Sequence, residues 1–165
     1  MIVREIRLSD AEKLADLIPN VEGSSSFMLW EAGERKIQTD NQLQMIKDID
    51  ESDNSTILVA EKDSNLVGYL LALGGKARRN KHSAYIVIGM LKEYRGMGIG
   101  TKFFTKLEQW ASTHKISRLE LTVVTKNEAG LSLYKKRGFE IEGTKRNSLF
   151  IDGEFVDEYY MSKLL

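Results

Sequence analysis

A glycine-rich segment between a strand and a helix constrains this chain more than any other feature. Residues 93–104 read EYRGMGIGTKFF, with glycine at positions 96, 98 and 100. The residues before it, SAYIVIGM, are typical of a strand, and from Gly98 onwards the apolar positions recur at helical spacing. Glycines at such a turn let backbone N–H groups converge, and the helix adds its unsatisfied donors and the positive end of its dipole. The segment therefore predicts an anion-binding turn.

Two familiar phosphate-binding motifs do not fit this segment. The P-loop needs Gly-x-x-x-x-Gly-Lys-Ser/Thr, but Gly100 is followed by Thr101 and only then by Lys102. The dinucleotide-binding fingerprint needs Gly-x-Gly-x-x-Gly, whereas the glycines here are spaced Gly-x-Gly-x-Gly. The pattern that fits is Arg/Gln-x-x-Gly-x-Gly/Ala, formed by Arg95, Gly98 and Gly100. A helix cap without a ligand is the alternative, although three glycines in five residues exceed what capping needs.

The rest of the chain predicts one domain that alternates strands and helices. A first strand lies in IVREIRL, a helix opened by a Ser9/Glu12 capping box ends at Pro19, and a Thr39/Gln42 box opens a second helix. Hairpins are indicated by KDSN between two β-rich runs and by Asp-Gly at 152–153. The element order is β-α-α-β-β-β-α-β-α-β-β, without repeat or linker. We therefore expect residues 1–165 to form a single α/β domain with a mixed sheet.

Composition excludes several functions. The 165 residues hold no cysteine, which rules out disulfides, thiolate catalysis and cysteine-ligated zinc. The 24 Lys+Arg balance 24 Asp+Glu, which argues against a nucleic-acid binder, and the basic run KARRNKH (residues 76–82) is interpreted as a solvated loop. No signal core and no apolar run near the ~20 residues of a membrane span are present. We expect a cytoplasmic protein that binds neither nucleic acid nor membrane.

A second motif lies about thirty residues after the first. It reads Asn-x-x-Ala-x-x-Leu-Tyr-x-x-x-Gly-Phe, with Asn127, Tyr134 and Phe139 in register and Gly130 in place of the alanine. Together the two motifs resemble the GNAT superfamily of N-acetyltransferases, whose glycine loop holds the pyrophosphate of acetyl-coenzyme A. The resemblance covers nearly the whole chain, although residues 88–139 carry it specifically. It implies a GNAT-like fold, a mostly antiparallel sheet of about seven strands flanked by about four helices.

The resemblance also implies a role for individual residues. The backbone of Ile88 and Met90, where the fourth strand splays from the fifth, would pair with the pantetheine amides. Asn127 would hydrogen-bond the pantetheine arm, although it also suits a helix N-cap. Tyr134 would lie beside the thioester sulfur, although it also suits a core position. The pyrophosphate would lie on the loop and first helical turn, which consist of Arg95, Gly96, Met97, Gly98, Ile99, Gly100 and Thr101. The implied cosubstrate is acetyl-CoA, without a metal.

The implied reaction is acetyl transfer to a primary amine of a small molecule or a protein. With no cysteine to carry an acyl group, the amine would attack directly, and Tyr134 would serve as general acid because its phenol is protonated at neutral pH. The alternative is a non-enzymatic CoA-binding or regulatory module. Some members that acetylate protein N-termini place a glutamate base five residues before the asparagine, where this chain has Thr122. The base is therefore a water relay, His82, or Glu31 or Glu34.

The acceptor is not specified by the sequence. It would meet FMLWEAGE and the tail hairpin, where an acidic cluster would attract a cationic amine or simply cover an exposed strand. A polyamine, a lysine side chain, an aminoglycoside, an amino acid and a protein N-terminus all remain open. The tail EFVDEYYMSKLL predicts an edge strand and, through it, a homodimer. The acidic cluster consists of Asp152, Glu154, Asp157 and Glu158.

Overall fold

The computed structural model describes residues 1–165 as one seven-stranded sheet with four α-helices. The predicted element order is confirmed, with two additional 3-10 turns at Leu8–Asp10 and Lys92–Tyr94. The strands lie in the order β1-β2-β3-β4-β5-β7-β6. The elements are β1 (Ile2–Glu5), α1 (Ala11–Gly23), α2 (Thr39–Asp50), β2 (Thr56–Lys62), β3 (Asn65–Gly74), β4 (Ser83–Met90), α3 (Ile99–Thr113), β5 (Arg118–Val124), α4 (Glu128–Lys136), β6 (Glu140–Ile151) and β7 (Glu154–Leu164).

One pair of strands in the sheet is parallel. Every other neighbouring pair is antiparallel, but β4 and β5 run in the same direction and pair only at Ser83–Arg118, Ala84–Leu119 and Tyr85–Glu120. Beyond Tyr85 the two strands separate, which confirms the predicted splay. The sheet therefore contains a gap, bordered by residues 86–90 on one side and residues 121–124 on the other.

The core lies in two layers, one on each face of the sheet. On one face, α3 and α4 bury the apolar stripe predicted from the helical spacing, including Phe103 and Phe104, which have no exposed surface. On the other face, α1 and α2 bury Leu14, Ile46 and Tyr69. Burial of apolar surface at roughly 25 cal/mol per Å² supplies the main stabilisation of both layers. The gap between β4 and β5 lies between these layers.

The two hairpin turns adopt the backbone that the sequence predicts. Asp63 and Ser64 have φ values of +49° and +64°, and Asp152 and Gly153 have +51° and +78°. Two consecutive positive φ angles match the twist of the flanking strands, which is why Asp-Ser and Asp-Gly serve here. Both hairpins are thereby confirmed.

The predicted end of the first helix is wrong. Pro19 lies inside α1, which continues to Gly23. Proline has no N–H to donate to the carbonyl of Ala15, and this normally ends or kinks a helix. Here Ile18 and Val21 are 5% and 1% exposed, so the turn that contains Pro19 is packed in the core. Tertiary burial outweighs the lost hydrogen bond.

The predicted capping boxes are also wrong. Ahead of α1, the carboxylate of Asp10, not the side chain of Ser9, accepts the N–H of Arg7 at 2.8 Å, and Asp10 is held by Arg4. Helix α2 begins after Gln38 without a side-chain cap. A pairing with a neighbouring strand residue such as Arg4 cannot be seen in a local motif.

The tail strand does not lie at the edge of the sheet. Strand β7, which holds EFVDEYYMSKL, lies between β5 and β6, so the prediction of an edge there is wrong. The hairpin folds back so that the C-terminal strand covers the free side of β5, leaving β6 as the exposed edge. None of the helices combines the length and the hydropathy needed to cross a bilayer.

Candidate active site

The glycine loop presents a row of unused backbone donors. Gly96 and Gly98 have φ values of +75° and +77°, and no atom lies within 4 Å of the position that a Cβ would take on either. Glycine is therefore required at both positions by the positive φ angle and not by a lack of space. None of the N–H groups of residues 96–101 donates a hydrogen bond within the protein, and Lys102 is the first to do so, to the Gly98 carbonyl at 3.1 Å. These donors lie at the positive end of the 15-residue helix α3, an arrangement that suits an anion.

Gly100 serves a different purpose from the other two glycines. It is buried, and a Cβ on it would lie 2.6 Å from Cδ2 of Leu133 in α4. Its missing side chain therefore lets α3 and α4 approach each other, while its N–H stays free. The sequence pattern indicated one role, anion binding, for all three glycines. In the structure, Gly96 and Gly98 provide the backbone angle, whereas Gly100 provides space for Leu133.

Arg95 ties the loop to the end of α1. Its Nη2 donates to the carbonyl oxygen of Ser24 at 3.1 Å and approaches the Ser24 hydroxyl at 3.4 Å. The exposed guanidinium thus fixes the position of the loop relative to the residues that follow α1. The loop's hydrogen-bond donors without a partner in the protein are therefore chiefly the main-chain N–H groups of residues 96–101.

Peptide groups of β4 face the gap in the sheet. Leu91 donates to Val67 at 2.9 Å, and Ser83 accepts from Gly75 at 2.9 Å, so the odd-numbered residues of this stretch bond towards β3. Because strand peptides alternate in direction, those of Ile88 and Met90 point to the side from which β5 has diverged. An extended ligand could pair with them there as an added strand.

Asn127 is the N-cap of α4. Its Oδ1 accepts the N–H of Gly130 at 3.0 Å, while its side-chain amide has no hydrogen-bond partner. A Cβ on Gly130 would lie 2.7 Å from that amide nitrogen, so glycine gives the asparagine room in this chain. The capping role is confirmed, and the free amide remains available to a ligand.

Tyr134 combines a buried ring with an unused hydroxyl. The residue is 8% exposed, and its ring packs edge-on to Phe104 at 5.9 Å and against Phe139 at 6.0 Å between centroids. Its hydroxyl group has no hydrogen-bond partner in the protein. Burial raises the pKa of the Tyr134 phenol well above its usual range, and the phenol of Tyr85 raises this pKa further. The phenol is therefore neutral throughout the physiological pH range.

Two hydroxyl groups bridge the start of the gap. The Tyr85 and Thr122 hydroxyls lie 2.8 Å apart. Tyr85 belongs to the α1/α2 face and Tyr134 to the α3/α4 face, yet Tyr85 influences the pKa of Tyr134. Tyr85 also lines a cavity of about 340 Å³, together with the exposed His82.

Four of the six acidic residues named by the sequence make side-chain contacts elsewhere. The carboxylate of Glu34 accepts the N–H of Glu31 at 2.9 Å within an exposed turn. In the tail hairpin, Glu154 pairs with Lys126 at 3.2 Å and Asp157 accepts the N–H of Asn147 at 2.8 Å. Glu158 is bonded to Ser148. These contacts favour the interpretation of the cluster as an exposed strand face.

A buried ion pair near the gap was missed by the sequence analysis. Glu22 in the last turn of α1 is 2% exposed and accepts a hydrogen bond from Arg35. The signal was present, because Glu22 follows Ile18 by four residues and so falls on the apolar stripe of α1. A charge on such a stripe indicates a buried partner.

The sequence model of the acetyltransferase (GNAT) family matches residues 25–139, and the chain belongs to this family of acetyl-CoA-dependent N-acetyltransferases. It is 33% identical over 108 residues to the L-amino acid N-acetyltransferase AaaT of Escherichia coli, covering 65% of this chain and 67% of that protein.

Solved structures agree with the fold. A GNAT-family acetyltransferase from Streptococcus pneumoniae superposes with a TM-score of 0.95 at 28% identity, covering 99% of this chain and 98% of the other. A phosphinothricin acetyltransferase from Sinorhizobium meliloti, solved in complex with acetyl-CoA, has a TM-score of 0.86 at 17% identity and covers 99% of this chain and 88% of its own. The latter likeness concerns the fold alone.

Proposed function

We propose that this protein transfers the acetyl group of acetyl-CoA to a primary amine of a small molecule or a protein by direct attack. The observation that carries the proposal is the row of free N–H groups at residues 96–101, which lies beside a gap in the sheet with an unpartnered phenol. An anion at the row and an extended arm along the gap would together fit CoA.

Each part of the donor has a group that suits it. The pyrophosphate would accept from the N–H groups of residues 96–101, with Arg95 holding the loop in place. The pantetheine arm would pair with the peptides of Ile88 and Met90 and accept from the free amide of Asn127. The thioester would then lie in the gap, next to Tyr134. The proposal includes no metal.

The chemistry follows from this placement. The amine nitrogen attacks the thioester carbonyl carbon, a C–N bond forms, and the C–S bond breaks. The departing sulfur takes the proton of Tyr134, whose unpartnered hydroxyl is free to donate, and the phenol regains a proton from water before the next turnover. A backbone N–H at the gap would stabilise the oxyanion of the tetrahedral intermediate.

The proton lost by the amine has a separate route. Thr122 offers no carboxylate, and the carboxylate of Glu34 is engaged in its own turn. The Tyr85–Thr122 hydroxyl pair suits a water relay, which we favour over His82 because the pair lies at the gap itself. His82 lines the adjoining cavity and is the second candidate.

Two properties of the whole protein belong to the same proposal. We place the enzyme in the cytoplasm and expect a homodimer through the exposed edge of β6, whose outer side lacks a strand partner.

Acetyl-CoA binding by calorimetry, combined with a panel of amines in an assay of CoA thiol release, tests the proposal. We expect binding and amine-dependent release. Binding without release for any amine would favour the regulatory module, and absence of binding would refute the proposal altogether.

A further inference from the structure

The segment between α1 and α2 forms a wall beside the gap. Residues 24–38 contain no helix or strand, and they begin at Ser24, which Arg95 holds next to the glycine loop. They leave Phe27 and Trp30 partly exposed, at 37% and 39%. This wall lies on the α1/α2 face, opposite the helices that would hold the donor. An acceptor approaching from that face would meet it.

A cation in this wall is fixed in orientation. Nη2 of Arg35 donates to the buried carboxylate of Glu22, and the guanidinium lies 4.9 Å from the ring centroid of Trp30. The Arg35 side chain is 36% exposed as a whole, and its Nε is buried without a hydrogen-bond partner. Guanidinium carries five N–H donors, and Glu22 engages one of its nitrogens. Arg35 is therefore held on one side and has donors left for another anion.

This cation lies close to the reacting centre. Arg35 binds Glu22, and Cγ1 of Val21, the residue before Glu22, lies 2.7 Å from the position that a Cβ on Gly89 would take. The Tyr69 hydroxyl lies 3.1 Å from the position that a Cβ on Gly89 would take. Gly89 lies between Ile88 and Met90, whose peptides face the gap. One small molecule could thus reach from the gap to the guanidinium.

We propose that Arg35 binds the carboxylate of the acetyl acceptor, which makes α-amino acids the acceptor class of this enzyme. The proposal rests on the proposed function. The amino acid lies with its carboxylate on the guanidinium and its amine in the gap, and the exposed aromatic side chains of the wall contact its side chain. The amine nitrogen forms the new bond to the acetyl carbon, the thiol leaves with the Tyr134 proton, and the amine's proton passes to water.

A purely structural ion pair would behave differently. Such a pair would only neutralise Glu22 and fix the wall on α1, so its removal would affect every acceptor alike. A carboxylate-binding Arg35 discriminates between an acid and its amide, because the amide offers no negative charge to the guanidinium. The comparison of matched acceptors therefore separates the two roles.

The test measures kcat/KM for the twenty L-amino acids and then compares the best of them with its amino amide. We expect wild type to prefer the free acid by at least about tenfold, the range of a hydrogen bond between charged groups. In Glu22→Gln/Arg35→Met, kcat/KM for the acid should fall at least tenfold, while that for the amide stays within about threefold. The double variant is used because Arg35→Met alone would leave a buried carboxylate unpaired.

The matched control is Glu22→Gln, which keeps the cation and should keep the preference for the acid. Acetyl-CoA binding, measured by calorimetry, should be unchanged in both variants. Equal losses for acid and amide, or a wild-type enzyme that accepts the amide equally well, would overturn the role of Arg35. Acetylation of other amines but of no amino acid would overturn the acceptor class and leave the proposed function intact, whereas no amine-dependent CoA release at all would refute both.

Discussion

Replacing Tyr134 with phenylalanine separates its chemistry from its packing. The ring contacts with Phe104 and Phe139 involve the carbon framework, and the hydroxyl has no partner in the protein. The variant should therefore fold with a nearly unchanged free energy of unfolding, because the substitution removes no hydrogen bond of the protein. A tyrosine with a structural hydroxyl would instead lose about 0.5–1.5 kcal/mol.

The rate of transfer should respond strongly to the same change. General acids contribute about 10²–10⁴-fold, so the rate should fall by roughly 10²-fold or more. This fall corresponds to a barrier higher by at least ~2.7 kcal/mol, at about 1.36 kcal/mol per decade. The affinity for acetyl-CoA should stay within a few fold, because the hydroxyl acts on the leaving sulfur in the transition state.

The assay is single-turnover kinetics with enzyme in excess over acetyl-CoA, because product release can hide a chemical defect. The pKa of Tyr134 is raised by burial, and the active form is the protonated phenol. The wild-type single-turnover rate should therefore not decline on the alkaline side until the pH exceeds about 10, the ordinary tyrosine value. An unchanged rate in Tyr134→Phe would show that another group or water protonates the thiolate.

Three further changes test other parts of the structure. Gly98→Val should strain the backbone by about 1–2 kcal/mol and abolish acetyl-CoA binding in calorimetry. Wild-type affinity in this variant would contradict the loop assignment. Gly100→Val should instead lower the melting temperature, and Leu133→Ala should partly restore it. Asp10→Asn should destabilise by about 1.5–3 kcal/mol near neutral pH. Hydrogen bonding to Arg4 lowers the pKa of Asp10, so this stabilisation is present above the pKa of the unfolded state and is lost as the pH falls through the lower folded value. In urea unfolding, the free energies of unfolding of wild type and Asp10→Asn should therefore converge in acid. A difference that stays constant with pH would contradict the argument. Light scattering should report a dimer, and a monomer over a wide concentration range would remove that expectation.

Most of the fold could be predicted because its signals are local. Strand β4 has the bounds that its β-rich pattern indicated, and the Asp152–Gly153 turn needs the positive φ angles that those residues tolerate. Pro19 misled the prediction because its helical turn is stabilised by contacts with distant residues. The position of β7 also depends on a distant partner, since only the folded sheet shows which strand takes the free side of β5.

The candidate site likewise has parts that local sequence determines and parts that depend on distant residues. Main-chain donors and the N-cap at Asn127 follow from motifs, because short-range geometry determines them. The packing role of Gly100 depends on Leu133, and the pairing of Glu22 with Arg35 joins residues thirteen positions apart, across the irregular segment that follows α1. Neither contact has a fixed spacing that a motif could encode. The acceptor side of the site is therefore the part that sequence patterns describe least.

The three residue pairs that join β4 to β5 have a mechanical consequence. Strands β1–β4 and strands β5–β7 form two antiparallel halves of the sheet, and the backbones of the two halves pair along a short parallel stretch at Ser83–Tyr85. An extended ligand paired with Ile88 would add hydrogen bonds beyond that stretch and link the two halves more firmly. Release of the ligand would loosen them again. In such an enzyme the substrate would form a removable part of the sheet, which would be completed and reopened once in every catalytic cycle.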